Sequence, residues 1–379
     1  MPHEVNQTQG ISTKRLWLLR TVFVVISLIL SITVVEVSLW IIAPVPYPEW
    51  MQWIPDGHIK GRAEPRQTFH GITNQEVRIN SLGFRGPEYD WKPAPGTLRL
   101  VVFSGSAGFC YHQREEETWP GRLQFYLGQH LKIPVEVINL SLPGYDASNS
   151  KINYLFTGRA LHPHVALIYH TWNDLKFFRS LERSPKEVVF AGFAIDDKPL
   201  WQRLARKTQI GRRIRNFLYA RHQAYNENQY TSLEKEGKGA NRPVLPVALQ
   251  WGRKNFEDFV RFTQGDGVLP VLISQATIVS KGNLDRVEYR RATETDYVGM
   301  TMPVLLQTWL GMNQIIREVS EQNSAIFVDG YDAVPHDFKC LEDHVHLTTQ
   351  GCDILARAIA ATLLNDERFL HLVNSLQKK

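Results

Sequence analysis

Near the end of the chain, the run CLEDHVHLTTQGCDILARAIAATLL places Asp343, His344 and His346 just ahead of an apolar helical pattern. A carboxylate three residues before an imidazole, on one loop, can fix the ring's tautomer and stabilise its protonated form. An imidazole held this way is a general base, and it needs a nucleophile whose proton it can accept. Upstream, LVVFSGSAGFC offers Ser106, where an apolar β-type run breaks into a turn between Gly105, Ala107 and Gly108. Small neighbours allow a sharp turn and leave the hydroxyl accessible. Two further polar groups fall at similar places: Gly144 in NLSLPGYDAS, with an unshielded backbone N–H, and Asn173 in HTWNDL. The Ser106 N–H, the Gly144 N–H and the Asn173 amide are candidate donors to a developing oxyanion. The chemistry these residue types imply is acyl transfer: Ser106 attacks an ester carbonyl, His346 carries the proton, and Asp343 orients the ring.

Such residues work only if the fold gathers them. After Pro95-Gly96 the sequence alternates β-rich runs with helical ones. Strands are expected at 98–104, 135–141, 164–170, 268–274 and 324–329. Helices are expected over ETWPGRLQFYLGQHL, SNSKINYLFTGRAL, VALQWGRKNFEDFVRFT and PVLLQTWLGMNQIIREVSEQ, with a last one after Thr349. This alternation predicts an α/β fold with a parallel sheet covered by helices on both faces. In such folds ligand chemistry gathers at the carboxyl ends of the strands. Ser106, Gly144 and Asn173 follow the first, second and third strands, and Asp343 and His346 follow the fifth. Asp174 is expected to cap the helix after the third strand, and His344 to lie at the surface or behind His346.

Composition narrows the alternatives. The 379 residues carry a formal net charge of +5, spread along the chain, which argues against a nucleic-acid binder. The three cysteines, Cys110, Cys340 and Cys352, make no disulfide framework and no C-x-x-C metal knuckle. They read as buried or free thiols, with one Cys110–Cys340 bridge as the alternative. His162, His164 and His170 flank one strand and a proline rather than forming a ligand set, so no metal is expected.

The N-terminus carries a different signal. Thr21 to Ala43 is apolar except for Glu36, and a helix of that length rises roughly 34 Å, about the thickness of a bilayer core. Lys14, Arg15 and Arg20 precede it, and the segment just after it, PVPYPEWMQWIPDG, has no Lys or Arg. The positive-inside rule then puts residues 1–15 in the cytoplasm, the membrane span at 16–43, and the rest outside. The alternatives are a cleaved signal peptide, which the long run ending in IIAPVP speaks against, and a buried soluble helix. Trp40, Tyr47, Trp50 and Trp53 suit the far interface. Glu36 must lie near that interface or pair with another helix. Residues 44–96 read as a connector with short strands, and 97–372 as the catalytic-type domain. Within it, 176–245 is an insertion containing the basic stretch RLARKTQIGRRIRNFLYARH. That stretch is either a solvated face or a surface for anionic lipid head groups or an acidic polymer.

The four blocks together resemble the SGNH (GDSL-type) hydrolase superfamily. FSGSAGFCYHQREEETWPGRL is similar to the family's nucleophile block and its following helix, NLSLPGYDAS to its glycine block, TWND to its Gly-x-Asn-Asp block, and DHVHLTTQG to its Asp-x-x-His block. INSLGFRGPE is similar to a stretch of membrane-anchored bacterial members. The resemblance covers roughly residues 76–365. It implies a flavodoxin-like three-layer α/β/α sandwich with a five-stranded parallel sheet. It also implies Ser106, His346 and Asp343 as catalytic residues, the oxyanion donors named above, and no cofactor. The implied activity is an esterase acting on an acyl group, such as an O-acetyl, of a cell-envelope glycan or lipid. The alternatives are an O-acyltransferase using the same serine, and a non-catalytic glycan-binding or assembly protein. Two positions depart from the pattern: Ser104-Gly105 stands where Gly-Asp is usual, and Thr171 stands where a glycine is usual.

Overall fold

A computed structural model describes residues 13–43, 53–54, 61–70, 75–175, 208–214, 217, 246–286, 288–289 and 300–378. Most of the 176–245 insertion lies outside the described residues. The chain divides into two compact units, one of Met1–Pro48 with Asp197–Asn226, the other of Glu49–Asp196 with Glu227–Lys379.

In the first unit, α1 runs over Thr13–Ile42 and buries none of its residues. Its most apolar window has a mean hydropathy of 2.6, so it is long and apolar enough to cross a membrane. The hydroxyls of Thr21, Ser31 and Thr33 donate to carbonyls four residues earlier, which satisfies these polar side chains within the helix.

The second unit opens with two small antiparallel pairs. β1 (Trp53–Ile54) pairs with β2 (Arg62–Ala63), and β3 (Thr68–His70) with β4 (Glu76–Arg78). The main sheet has five parallel strands: β5 (Leu98–Ser104), β6 (Val135–Asn139), β7 (Val165–Tyr169), β8 (Leu269–Ile273) and β9 (Ile326–Val328). Their order is β6-β5-β7-β8-β9. Every residue of β5 and β7 is buried. This explains why both read as unbroken apolar runs rather than alternating ones: each has a helix layer on both sides.

The connecting helices are α2 (Ser106–Phe109), α3 (Trp119–His130), α4 (Ala147–Asn153), α5 (Pro246–Gly265), α6 (Met302–Gln322), α7 (Gly330–Ala333), α8 (Thr349–Leu364) and α9 (Glu367–Gln377). α3 packs against α8 in one layer, and α5 packs against α4 and α6 in the other. The result is a three-layer α/β/α sandwich. Helix starts follow local chemistry. Thr118 caps α3 by accepting from the Gly121 N–H at 3.1 Å, and Thr348 caps α8 by accepting from the Gly351 N–H at 3.1 Å.

Two helices differ from the sequence reading. The stretch over 148–161 is not one α-helix. α4 passes into a π-turn at Tyr154–Gly158 and a 3-10 turn at Arg159–Leu161, and ends at His162 with φ 49°. Packing decides this: Gly158 sits against Phe103 of β5, where a Cβ would come within 2.5 Å of the ring. The C-terminal helix also breaks. Asp366 accepts from the Arg368 and Phe369 N–H groups and starts α9 as a new helix.

Candidate active site

The sheet order reverses direction between β5 and its two neighbours, which opens a crevice at their carboxyl ends. β5 runs directly into α2, so Ser106 stands on the first residue of that one-turn helix. A turn this short leaves its carbonyls without helical partners. Side chains from three elements supply them. Trp119 Nε1 donates to the Ala107 carbonyl at 3.2 Å, and Asn139 Nδ2 to Gly108 at 2.9 Å. Arg85 Nη1 donates to Phe109 at 2.8 Å and also to Cys110. Arg85 is fully buried, bonds the Gln113 carbonyl through Nη2 at 2.6 Å, and ion-pairs with Glu115 at 2.8 Å. One guanidinium thus clamps the whole loop that leaves the serine.

The histidine loop is pinched just as firmly. Leu341 and Leu347 form an antiparallel bridge, and the Glu342 N–H donates to the His346 carbonyl at 2.7 Å. The Ile278 N–H and Thr277 Oγ1 both donate to the His344 carbonyl. Gln113 Nε2 donates to the Leu347 carbonyl at 2.8 Å, which ties this loop to the serine's. Between the two loops, His346 Nε2 lies 2.7 Å from Ser106 Oγ. Its Nδ1 lies 2.6 Å from Asp343 Oδ2. Asp343 Oδ1 accepts from the Val345 and His346 N–H groups, each at 2.9 Å. Partial burial pushes the Asp343 carboxyl upward, but the hydrogen bond from His346 and the charges of His346 and His344 outweigh it. The group is held well below the usual carboxylate range. A permanently ionised Asp343 fixes the proton on Nδ1 and leaves Nε2 facing the serine as an acceptor.

The remaining two blocks meet at Gly105. Asn173 Nδ2 donates to the Tyr145 carbonyl at 2.7 Å. A Cβ built on Gly105 would lie 2.6 Å from that same nitrogen and 2.9 Å from the Tyr145 oxygen. An aspartate at this position therefore has no room, which accounts for the first departure in the sequence. Gly144, with φ 76°, turns the chain into this loop through a conformation that side chains disfavour. The second departure is also accommodated: Thr171 is buried and its hydroxyl reaches Asn313 Oδ1 on α6 at 3.2 Å. Asn313 Oδ1 is itself within 3.2 Å of the Gln275 N–H.

One other expectation comes out differently, and two resolve to one of their stated alternatives. Asp174 does not cap the helix after β7: its Oδ1 accepts from the Ala147 N–H at 3.1 Å, at the start of α4, beside the cap made by Asp146. His344 is not at the surface. It is buried against Trp172, ring centroids 4.1 Å apart, behind His346. The three cysteines are free, and the thiol facing Cys110 is that of Cys352, with the sulfurs 3.9 Å apart, rather than that of Cys340. The histidines near β7 sit apart in function: His164 Nδ1 accepts from the Arg99 N–H at 3.0 Å, and His170 Nε2 lies 2.7 Å from Ser150 Oγ.

Two residues at the site were not assigned a role from the sequence, although both lie in stretches that carry the resemblance. Arg85 lies outside the four blocks, and only folding brings it under α2. His112 follows the αL residue Cys110, and its ring centroid is 6.3 Å from that of His346. Burial, aided by the neighbouring His346, lowers its affinity for a proton, against the pull of Glu342 and Asp343.

This sheet order is that of a three-layer α/β/α fold, and a serine, a histidine and an aspartate meet across its carboxyl edge. No protein-family model matches the sequence, and no curated protein matches it. Among solved structures, an acetylxylan esterase from Geobacillus stearothermophilus is similar at 14% identity and TM-score 0.42, over 71% of this chain and 95% of that one. A lipase/acylhydrolase from Enterococcus faecalis is similar at 13% identity and TM-score 0.41, over 70% and 95%. An α/β hydrolase from the metagenome of Lake Arreo is similar at 13% identity and TM-score 0.41, over 70% and 94%.

Proposed function

We propose that this chain is a serine esterase that cleaves an acyl ester, such as an O-acetyl, on a cell-envelope glycan or lipid. One observation carries the reading: the continuous hydrogen-bonded chain from Ser106 Oγ through His346 to Asp343. As the ester carbonyl arrives, the Ser106 proton passes to His346 Nε2 and the oxygen bonds to the acyl carbon. The resulting oxyanion takes hydrogen bonds from the Ser106 and Gly144 N–H groups and from Asn173. An amide nitrogen carries two hydrogens, so Asn173 can hold Tyr145 with one and meet the oxyanion with the other. Collapse breaks the bond to the alcohol, which leaves with the proton from His346. Water then gives its proton to the same imidazole and its oxygen bonds to the acyl carbon. Collapse breaks the bond to Ser106 Oγ, which takes the proton back from His346, and the acid is released. Asp343 stays ionised throughout and stabilises the imidazolium.

The substrate class follows from where the enzyme would work. With α1 crossing the membrane and the basic residues before it on the cytoplasmic side, the esterase unit faces the cell envelope, among acylated glycans and lipids. The test is labelling with a fluorophosphonate, alongside hydrolysis of p-nitrophenyl acetate. Wild-type protein is expected to label and to release nitrophenol, and Ser106→Ala to do neither. A folded wild type that does not label would refute the esterase and favour a binding role. Labelling that persists in Ser106→Ala would refute the assignment of the nucleophile.

A further inference from the structure

Among the residues of α1, Glu36 is the one carboxylate, six positions from the C-terminal end. A charge at that depth is costly unless it is bonded. Within its own unit Glu36 is well served. The Gln209 N–H donates to Oε1, the Ile210 N–H donates to Oε2 at 3.0 Å, and Trp40 Nε1 donates to Oε1 at 3.1 Å. Residues 209–214 are helical, and the first N–H groups of a helix have no acceptor of their own. The carboxylate supplies one, and Thr208 Oγ1 supplies another to the Gly211 N–H at 3.0 Å. Further along, the Arg212 guanidinium lies 5.0 Å from the Trp40 ring centroid. Arg213 donates to the carbonyl of Ala43, just past the end of α1. This segment is therefore fastened along the last turns of α1.

That fastening sets its surroundings. No residue of α1 is buried, and most of its side chains are exposed, so lipid around α1 also meets what is attached to its end. Gln209 and Arg212 are buried, yet Ile214 is 55% exposed and Phe217 59% exposed. Ile210, Ile214 and Phe217 recur at helical spacing and form one apolar face. The sequence from 203 to 222 holds seven Lys and Arg residues and no acid. An apolar face flanked by basic side chains is the pattern of a helix lying in a membrane interface.

We infer that residues 208–214 and Phe217 lie in the lipid surface at the C-terminal end of α1. Ile210, Ile214 and Phe217 enter the acyl boundary, the basic side chains meet phospholipid phosphates, and Glu36 fixes the depth. The inference goes beyond the esterase reading and rests on α1 crossing a bilayer.

The experiment uses the full chain in phospholipid nanodiscs, with nitroxide labels at Ile214→Cys and Phe217→Cys. Leu30→Cys serves as the mid-span reference and Trp91→Cys, exposed in the other unit, as the reference outside the helix. Cys110, Cys340 and Cys352 are buried and leave the new thiols as the reactive ones. Power saturation compares access to oxygen, which enters lipid, with access to a nickel chelate, which does not. The oxygen-to-nickel ratio at 214 and 217 is expected to exceed that at Trp91→Cys several-fold, and to fall several-fold when Glu36→Leu is added. Ratios at 214 and 217 equal to that at Trp91→Cys, with Leu30→Cys still in lipid, overturn the inference and leave the membrane crossing intact. Ratios that do not change with Glu36→Leu overturn the role of the carboxylate. A water-like ratio at Leu30→Cys removes the crossing itself, and the inference with it.

Discussion

Gly105→Ala is the sharpest test of how the site is built. Gly105 has a negative φ of −86°, so the substitution meets no left-handed backbone penalty and its main cost is steric. The new methyl would stand 2.6 Å from Asn173 Nδ2, where ordinary contact begins at 3.4 Å, so the amide must retreat by about 0.8 Å. The bond from Asn173 to the Tyr145 carbonyl, now 2.7 Å, cannot survive that shift in its present geometry. Displacement by about 1 Å typically costs near 100-fold in rate, and loss of one oxyanion donor costs about 3–4 kcal/mol, or 100- to 1,000-fold in kcat. The expected outcome is a kcat for p-nitrophenyl acetate lowered by about two orders of magnitude, with KM changed much less. Asn173→Ala should fall by a similar factor, and the double variant Gly105→Ala/Asn173→Ala no further, because both changes remove the same donor. A thermal melt of each variant separates this from unfolding. Gly105→Ala retaining wild-type kcat, or a double variant showing the product of the two losses, would refute the assignment of Asn173 to the oxyanion.

Asp343→Asn should lower kcat by about four orders of magnitude, because an amide no longer holds the proton on Nδ1. The same variant reports on stability. The Asp343 carboxyl is held low in the folded chain, so its contribution is present in full above the unfolded value near 3.9 and is lost as pH falls below it. Urea titrations at pH 7 and pH 3 should therefore find the gap between wild type and Asp343→Asn narrowing in acid. Arg85→Met leaves the carbonyls of Phe109, Cys110 and Gln113 without their donor and Glu115 without its cation. It should destabilise the chain by about 3–5 kcal/mol in urea unfolding and loosen the serine loop, so that fluorophosphonate labelling slows even at temperatures where the protein stays folded.

Much of this chain could be read from order alone. The five strands announce themselves because a parallel strand with helices on both faces must be apolar throughout, and LRLVVFS and HVALIYH have no other comfortable place. The serine, glycine, asparagine and histidine blocks fall at strand ends because sharp turns need small residues and helix starts need caps, and both are local requirements. α1 is visible for the same reason: its length and apolar composition, enough to cross a membrane, can be read without knowing any neighbour in the chain.

Other features were decided only in three dimensions. Nothing adjacent in sequence says that Arg85 will bond the carbonyls of Phe109, Cys110 and Gln113, or that Cys110 will face Cys352 rather than Cys340. Asp174 looks like a cap for its own helix, yet it serves Ala147, 27 positions earlier. Gly105 reads as a missing carboxylate until Asn173 is found occupying the space. Glu36 is a misplaced charge in a one-dimensional pattern and a helix cap in space, some 173 residues from the N–H it accepts. Periodicity and turn chemistry report what each segment prefers by itself. Partners for buried charges and polar groups are chosen by whichever distant groups the packed layers bring within about 3 Å, and that choice has no footprint in local sequence.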